Sequence, residues 1–499
     1  MVAPSLTLTR ARLWTGQDAV PPEVDVRITD GRIDRIVPTG TEPVSEQVLD
    51  VAGRWVMPGL VDHHVHFTTW ARQRARVDIS HAHSAAQAAA SVREVLVSHT
   101  HGHQDVTGLV IGRGFREALW PDRPTAQLLD EAARRAGQPH RPIALISHDL
   151  HCVWLNSAAA AMLALKAGVL REQAAFSAQL ALDKASAHSE YTQALIAEAA
   201  AQANARGVTG IVDFEHADNP AVWAQRVEQG MTRLRVRASV YPEHLDAVLA
   251  RSERTGKRLP DTRGLVSVGA LKVFCDGALT TRTAWCYDPY PHTDSYGHAA
   301  YARGDLEPVL ADARLQGFDV SVHAIGDRAV AQALDAFAAT GARGTIEHAQ
   351  LVSDGDLERF AALGISVSIQ PEHALDDRDV ADALWEGRTS RAYPYGQLVR
   401  AGARVLMGSD APVVALDPWV GVSAAVFRQR DGRTAWEAAG ALSVHQALAA
   451  SWTMGSVAVG AVGDLVAVDA DPRALDAHNL CTMLVAATVV AGTVVHCDM

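Results

Sequence analysis

The chain has 499 residues, with 45 Lys and Arg against 57 Asp and Glu, for a formal charge of −12. Hydrophobic residues make up 48% and charged residues 20%, enough apolar material for a large core and too little charge for a disordered chain. An acidic balance argues against nucleic acid or an anionic membrane as partner, and the longest apolar stretch, 483–495, is too short and too interrupted to span a bilayer.

Residues 1–9 carry no charged head or long apolar run, so no secretory signal is expected. The cysteines (Cys152, Cys275, Cys286, Cys481 and Cys497) are odd in number and lack C-x-x-C spacing, which predicts a reduced, cytoplasmic protein. Short alternating runs at 6–8, 24–28 and 33–37 read as strands. Similar runs at 464–468 and 488–495 predict a small β-sandwich built from both termini, over 1–56 and 456–499. A larger unit, 57–455, opens with a strand at 55–62. Residues 68–206 interrupt it with a strand pair (108–112 and 142–147) and Ala-rich helices (157–170 and 192–206). An excursion this long with structure of its own predicts an inserted lid subdomain.

From Gly207 onward the sequence settles into a rhythm of helical stretch, glycine and β-branched run. The runs are 208–214, 234–241, 266–274, 319–323, 345–348, 365–370 and 404–409. Gly207, Gly230, Gly317, Gly341, Gly364 and Gly402 precede six of these seven, where a helix ends before the chain turns into a strand. Helix patterns at 328–339, 354–363 and 418–428 fall between them. With the strand at 55–62 the count reaches eight, and the fold class is read as α/β, a (β/α)8 TIM barrel. An open doubly wound sheet also accommodates eight such strands.

No G-x-S-x-G, G-x-x-x-x-G-K-[ST], H-E-x-x-H or complete G-x-G-x-x-G occurs. Histidine stands out instead. His-x-His pairs occur at His64/His66, His81/His83, His99/His101 and His101/His103. Chance alone gives about one such pair, so position must decide between them. His64 and His66 end the first barrel strand, and residues two apart on a strand face the same side. His323 and His348 close later strands, and Asp410 follows the last. All sit at C-terminal strand ends, where barrel enzymes build their sites. Any one of these could be a satisfied core histidine; four with an Asp on one rim point to a metal site. The histidines at 81, 83, 99, 101 and 103 lie in the insertion and are read as solvated.

Lys272 sits in an otherwise apolar barrel strand and must shed its hydration. Three readings stay open: an ion pair with Asp276 or Asp213, a neutral buried amine, or a carbamate formed from that amine and carbon dioxide. Trp70, Trp120, Trp154, Trp285 and Trp385, read as loop residues, suit either an aromatic pocket or packing onto their own scaffold.

The order His-x-His, Lys, His, His, Asp over strands one, four, five, six and eight resembles the amidohydrolase superfamily over nearly the whole chain. Pro58-Gly59-Leu60-Val61-Asp62 and Gly463-Asp464-Leu465-Val466-Ala467-Val468-Asp469 add to the likeness. The strings Gly112-Arg113-Gly114-Phe115, His151-Cys152-Val153-Trp154, Lys272-Val273-Phe274-Cys275-Asp276-Gly277, His323-Ala324-Ile325-Gly326-Asp327, Glu347-His348-Ala349-Gln350 and Gly408-Ser409-Asp410-Ala411-Pro412 are similar to its YtcJ-like branch, which includes N-substituted formamide deformylases. The resemblance implies His64, His66 and Asp410 on one metal ion, His323 and His348 on a second, and carboxylated Lys272 joining them. It also implies substrate contacts from His151, Asp276 and Arg282. Ala278-Leu279-Thr280-Thr281-Arg282 departs from the Ser-Leu-Gly-Ser-Arg common in relatives, a difference that touches the substrate pocket more than the metals.

The implied activity is hydrolysis of a non-peptide carbon–nitrogen bond, amide or N-formyl, by hydroxide generated at two divalent cations, with Asp410 as proton shuttle. Zinc is the expected metal, with manganese, iron and nickel as alternatives. A mononuclear deaminase of a nitrogenous ring, an esterase or lactonase, and a non-catalytic scaffold are the competing readings. The expected partner is a small-molecule substrate, with no nucleic acid and no membrane; a homodimer is compatible with a barrel of this size.

Overall fold

Eight parallel strands follow the glycine-punctuated runs of the sequence. In the computed structural model they are β1 (Leu60–Val65), β2 (Val208–Asp213), β3 (Arg235–Val240), β4 (Val266–Phe274), β5 (Val320–Ala324), β6 (Gly344–His348), β7 (Ser366–Ile369) and β8 (Val405–Met407). The structure describes all residues except 1–4, 18–19, 75, 99–107, 116–119, 148–151, 172, 187–189, 303 and 453–454. Each strand pairs in parallel with the next in chain order. The ring closes just past β8, where the Asp410 N–H donates to the His64 carbonyl at 2.7 Å and the His66 N–H to the Ala411 carbonyl at 2.9 Å. This is the barrel that the rhythm predicts, and an open sheet is ruled out by that closure.

Helices fill the intervals, among them Asp327–Thr340, Leu357–Leu363 and Pro418–Phe427. The first two end on Gly341 (φ 62°) and Gly364 (φ 68°) in the left-handed region, which costs a glycine nothing.

Strands from both termini join in one eight-stranded sheet, with Trp55–Pro58 hydrogen-bonded between Ser5–Leu13 and Leu465–Val468. Leu6, Leu8, Val26, Ile28, Val56, Leu465 and Val489 are buried in its core. Two expected strands are divided in the structure. The run 55–62 breaks at Gly59, so Trp55–Pro58 belongs to the terminal sheet and only the rest to the barrel. A side chain at 59 would meet Thr209 at 2.3 Å, which explains the glycine at this crossing. The run 488–495 turns back at Ala491 (φ 49°) and Gly492 (φ 77°), forming a two-residue hairpin between Val485–Val490 and Thr493–Cys497.

Residues Thr68–Ala199 form a separate compact unit with its own five-stranded sheet. The expected strand pair appears there as Val110–Phe115 parallel to Ile143–Ser147. The expected helix 157–170 stops at Leu163, and Gly168–Arg171 is instead an edge strand. Among the described residues no helix is long and apolar enough to cross a membrane.

Candidate metal centre

The first histidine pair depends on an irregularity in β1. Opposite β2, Asp62 pairs with Ile211 and Val65 with Asp213, so β1 carries one residue more than β2 in that interval. Such a bulge breaks the strict alternation of side chains. Consecutive His63 and His64 therefore both line cavities, His63 toward the strand starts and His64 toward the strand ends. Asp62 ties the bulge to the far side of the ring: its carboxylate accepts the N–H groups of His64 and Ser409, both at 3.0 Å, and the Ser409 hydroxyl at 2.5 Å.

Asp410 is the hub of the site. One carboxylate oxygen stands 3.7 Å from Nε2 of His64 and 3.7 Å from Nε2 of His66. The other stands 3.8 Å from Nε2 of His373. The ligand atoms of His64, His66 and Asp410 lie within 4.8 Å of one another, and so do those of His348, His373 and Asp410. Asp410 (φ 60°) and His348 (φ 74°) both hold left-handed backbone. That conformation costs a non-glycine residue roughly 1–3 kcal/mol, so strain is concentrated where the ligands converge.

Hydrogen bonds fix the imidazole tautomers. Nδ1–H of His64 donates to Glu347 Oε2 at 2.6 Å, and Nδ1–H of His348 donates to Gln370 Oε1 at 2.9 Å. Each then presents an Nε2 lone pair, the pattern by which a second carboxylate or amide orients a metal-binding histidine. His323 does the reverse. Its Nε2–H donates to the Gly277 carbonyl at 3.1 Å, leaving Nδ1 as the lone-pair atom, while its ring lies against His348 with centroids 4.5 Å apart.

Burial sets the charges. It holds His64 and His348 well below the usual imidazole range, His323 near 3 and His373 near 4, and it lowers His66 as well. All five are neutral at pH 7, the form in which imidazole binds a metal. Burial also pushes the Asp410 carboxyl up to about 7, against the pull of Lys272.

Lys272 is 1% exposed, and among the described residues its Nζ has no hydrogen-bond partner. It lies 4.6 Å from the ring centroid of Phe214 and 5.2 Å from that of Phe274. Neither expected ion-pair partner is free. Asp213 accepts from the Phe67 N–H at 3.1 Å and the Trp223 indole at 2.6 Å. Asp276 accepts from the N–H groups of Trp285, Ile325 and Gly326 at 2.9, 3.0 and 2.8 Å. Burial lowers the Lys272 pKa, with only the more distant Glu347 and Asp410 opposing it. The ion-pair reading is therefore not the one observed.

His64, His66, Lys272, His323, His348, His373 and Asp410 all line one cavity of about 400 Å³ at the strand ends. Asp276 does not line it and instead braces the loops after β4 and β5. Arg282 is exposed, with φ 57°, while its neighbours Ala278, Leu279 and Thr280 form the cavity wall. His151 lies outside the described residues, as do His99, His101 and His103. His81 and His83 are not in the barrel; His81 bonds Ser91 at 3.1 Å. Trp285 and Trp385, the two of the five in the barrel unit, do not line the cavity. Trp120 and Trp154 donate to the Ala82 and Thr125 carbonyls, and Trp385 is fully buried, so these pack onto their own scaffold.

Sequence reasoning missed His373 and the orienting pair Glu347 and Gln370. The signal was present in Gln370-Pro371-Glu372-His373. Strand β7 ends there, Pro371 opens a short helix, and the helix carries His373 over the barrel mouth.

The donor set fits divalent cations. Neutral imidazoles and a shared carboxylate converge, and among the described residues Nε2 of His373 and Nζ of Lys272 are buried without hydrogen-bond partners. Because Asp410 holds its proton up to about pH 7, metal uptake is expected to weaken about tenfold per unit below pH 7 and to release a proton on binding. Calorimetry in buffers of different ionisation heat measures that proton; an affinity unchanged between pH 5.5 and 7 would contradict it.

Comparison with known proteins agrees with this geometry. The sequence profile of the amidohydrolase family matches residues 47–496. The amidohydrolase-type protein YtcJ of Bacillus subtilis (strain 168) is 25% identical over 515 aligned positions, covering 93% of each chain. The N-substituted formamide deformylase of Arthrobacter pascens is 26% identical over 528 positions, covering 94% of each. Among solved structures, the uncharacterized metal-dependent hydrolase of Pyrococcus horikoshii OT3 superposes with a TM-score of 0.79 at 23% identity, over 95% of this chain and 99% of that one. With its closed barrel and paired His/His/Asp clusters, the chain belongs to the amidohydrolase family and is a metal-dependent hydrolase acting on carbon–nitrogen bonds.

Proposed function

We propose that the chain hydrolyses a non-peptide amide or N-formyl bond with two zinc-class cations held at the barrel mouth. The observation that carries this reading is the convergence of His64, His66, His323, His348 and Asp410 on one cavity with a lysine that has no hydrogen-bond partner among the described residues. The full-length similarity to an N-substituted formamide deformylase supports the bond class. His64, His66 and Asp410 would hold one ion. His348, His323 through Nδ1, and Lys272 as its carbamate would hold the other. A neutral Lys272 amine bonds carbon dioxide through nitrogen and loses one proton, giving an anion with two oxygens where the bare amine has no partner.

Bound cations of this kind lower the pKa of a water toward neutrality and polarise a carbonyl. The remaining work falls to the protein. Asp410 accepts the proton of the attacking water and returns it to the leaving nitrogen, since an amine anion is too basic to depart unprotonated. Glu347 and Gln370 keep the imidazoles in their ligand tautomers. Asp276 holds the loops that carry His323 and Gly277. The free cysteines support a reducing, intracellular location.

His373 has a separate task in this scheme, donating a hydrogen bond to the oxyanion that forms from the substrate carbonyl. His373→Ala is expected to lower kcat about 10²–10³-fold with metal content unchanged. Loss of one ion per chain on elemental analysis would make His373 a ligand instead.

A screen of the metal-loaded enzyme over N-formyl amines, N-acyl amines and ring amides tests the substrate class. Turnover should be highest on the first two groups. Activity confined to ring deamination with release of ammonia, or to esters, would overturn the assignment.

A further inference from the structure

The opposite end of the barrel holds a second cavity, of about 600 Å³, at the strand starts. The interior of a barrel is ordinarily filled by layers of branched aliphatic side chains. Here five arginines line the cavity instead: Arg235 and Arg237 on β3, Arg258 and Arg343 on the segments before β4 and β6, and Arg404 just before β8. The two on β3 share a face because side chains two apart on a strand do.

Only two of the five are neutralised. Arg235 pairs with Asp464, and Arg343 pairs with Asp319 at 3.1 Å. The remaining carboxylate of the lining, Glu347, is engaged by the Thr345 hydroxyl and by His64. Among the described residues, Arg237, Arg258 and Arg404 have no acidic partner within 4.0 Å, in a chain whose net charge is −12. Arg237, exposed at the cavity, lies close enough to Arg404 for each to oppose the other's charge, with Asp319 as the nearest compensating carboxylate. A fourth side chain points the same way. His63 is 8% exposed and lines the cavity, and among the described residues neither of its ring nitrogens has a hydrogen-bond partner. Arg237, Arg258 and Arg404 are exposed to the solvent of this open cavity, and their like charges, gathered around a buried imidazole, give it a positive potential that favours an anion.

We propose that this cavity binds a doubly charged oxyanion of the phosphate type, free or as the phosphoryl end of a larger molecule, through Arg237, Arg258 and Arg404. Guanidinium groups match the oxygens of phosphate with paired hydrogen bonds, and three unneutralised cations suit a dianion better than a single carboxylate. His63 donates to the deep end of the anion. The site is separate from the metal centre and does not depend on which bond that centre hydrolyses.

Calorimetric titration of the metal-loaded enzyme with inorganic phosphate, AMP and acetate, at constant ionic strength set by chloride, tests this. Phosphate or AMP should bind with a sub-millimolar Kd, and acetate should not. A larger ligand is indicated if AMP binds more tightly than phosphate, and free phosphate if the order is reversed. The Arg237→Gln/Arg404→Gln double variant should weaken that binding at least tenfold while leaving kcat/KM for a neutral substrate unchanged. Binding that persists in the double variant, that competes with substrate at the metals, or that is absent from the parent enzyme overturns the proposal. Stability gives a second reading. Arg404→Gln removes a repulsion, so without added oxyanion at low salt its Tm should equal or exceed that of the parent; a fall of several degrees would show that Arg404 is structurally paired and would likewise overturn it.

Discussion

Lys272→Ala is expected to strip metal from the barrel mouth and to abolish most activity. Among the described residues the lysine is buried, without a hydrogen-bond partner and against two aromatic rings, and in the proposed scheme it serves as the carbamate that helps hold the ions. Outer residues that merely orient ligands already cost about 10–100-fold in metal affinity when removed, and a bridging ligand should cost at least the upper end of that range. Formate, acetate or propionate should partly restore both metal and turnover by placing a free carboxylate in the vacated space. Lys272→Met separates this from unfolding. It replaces a buried amine with an apolar chain of similar length, so the metal-free variant should be no less stable than the parent, and about 1 kcal/mol or more of stabilisation is reasonable. A Lys272→Ala enzyme with full metal content and normal turnover in the absence of added acid would refute the carbamate.

Asp410→Asn should act differently. The amide keeps an oxygen that can face the histidines, so metal should be retained to a large extent. It cannot take a proton, and kcat should fall about 10²–10⁴-fold. The pH profile is the sharper reading. Burial raises the Asp410 carboxyl to about 7, so in the metal-free protein its ionisation is resisted until neutral pH. A group whose folded pKa lies above its unfolded value near 4 binds more protons folded than unfolded in that interval, so its contribution to stability falls as pH rises from about 4 to 7. The Asn variant should lack that decline. An Asp410→Asn enzyme with near-normal kcat would remove Asp410 from proton transfer.

Much of this architecture was legible because barrel strands announce themselves. Near-continuous β-branched runs preceded by glycine, such as 345–348 after Gly341, have one physical use in a parallel sheet. Ionisable residues at the ends of such runs then share a rim by construction, which is why His64, His66, His348 and Asp410 could be gathered from sequence. Three features were hidden for identifiable reasons. Gly59 divides one apolar run between two sheets, and only the closeness of Thr209 reveals it. The bulge that turns both His63 and His64 inward depends on pairing with β2, which no local pattern encodes. His373 is carried by a short helix beyond β7, where strand periodicity has no say. Asp276 was read as a possible ion-pair partner of Lys272; its carboxylate is instead held by three backbone N–H groups of the loops after β4 and β5, which no local pattern reveals. The arginines at the strand starts were equally invisible, being drawn from separate segments that only the closed ring assembles.

The most direct measurement is anomalous diffraction at the metal absorption edge, on crystals of the metal-loaded protein. Two peaks are predicted at the C-terminal strand ends, one among His64, His66 and Asp410 and one beside His348, with a carboxylated Lys272 between them. No peak there at saturating metal, with Lys272 unmodified and turned elsewhere, would contradict the account.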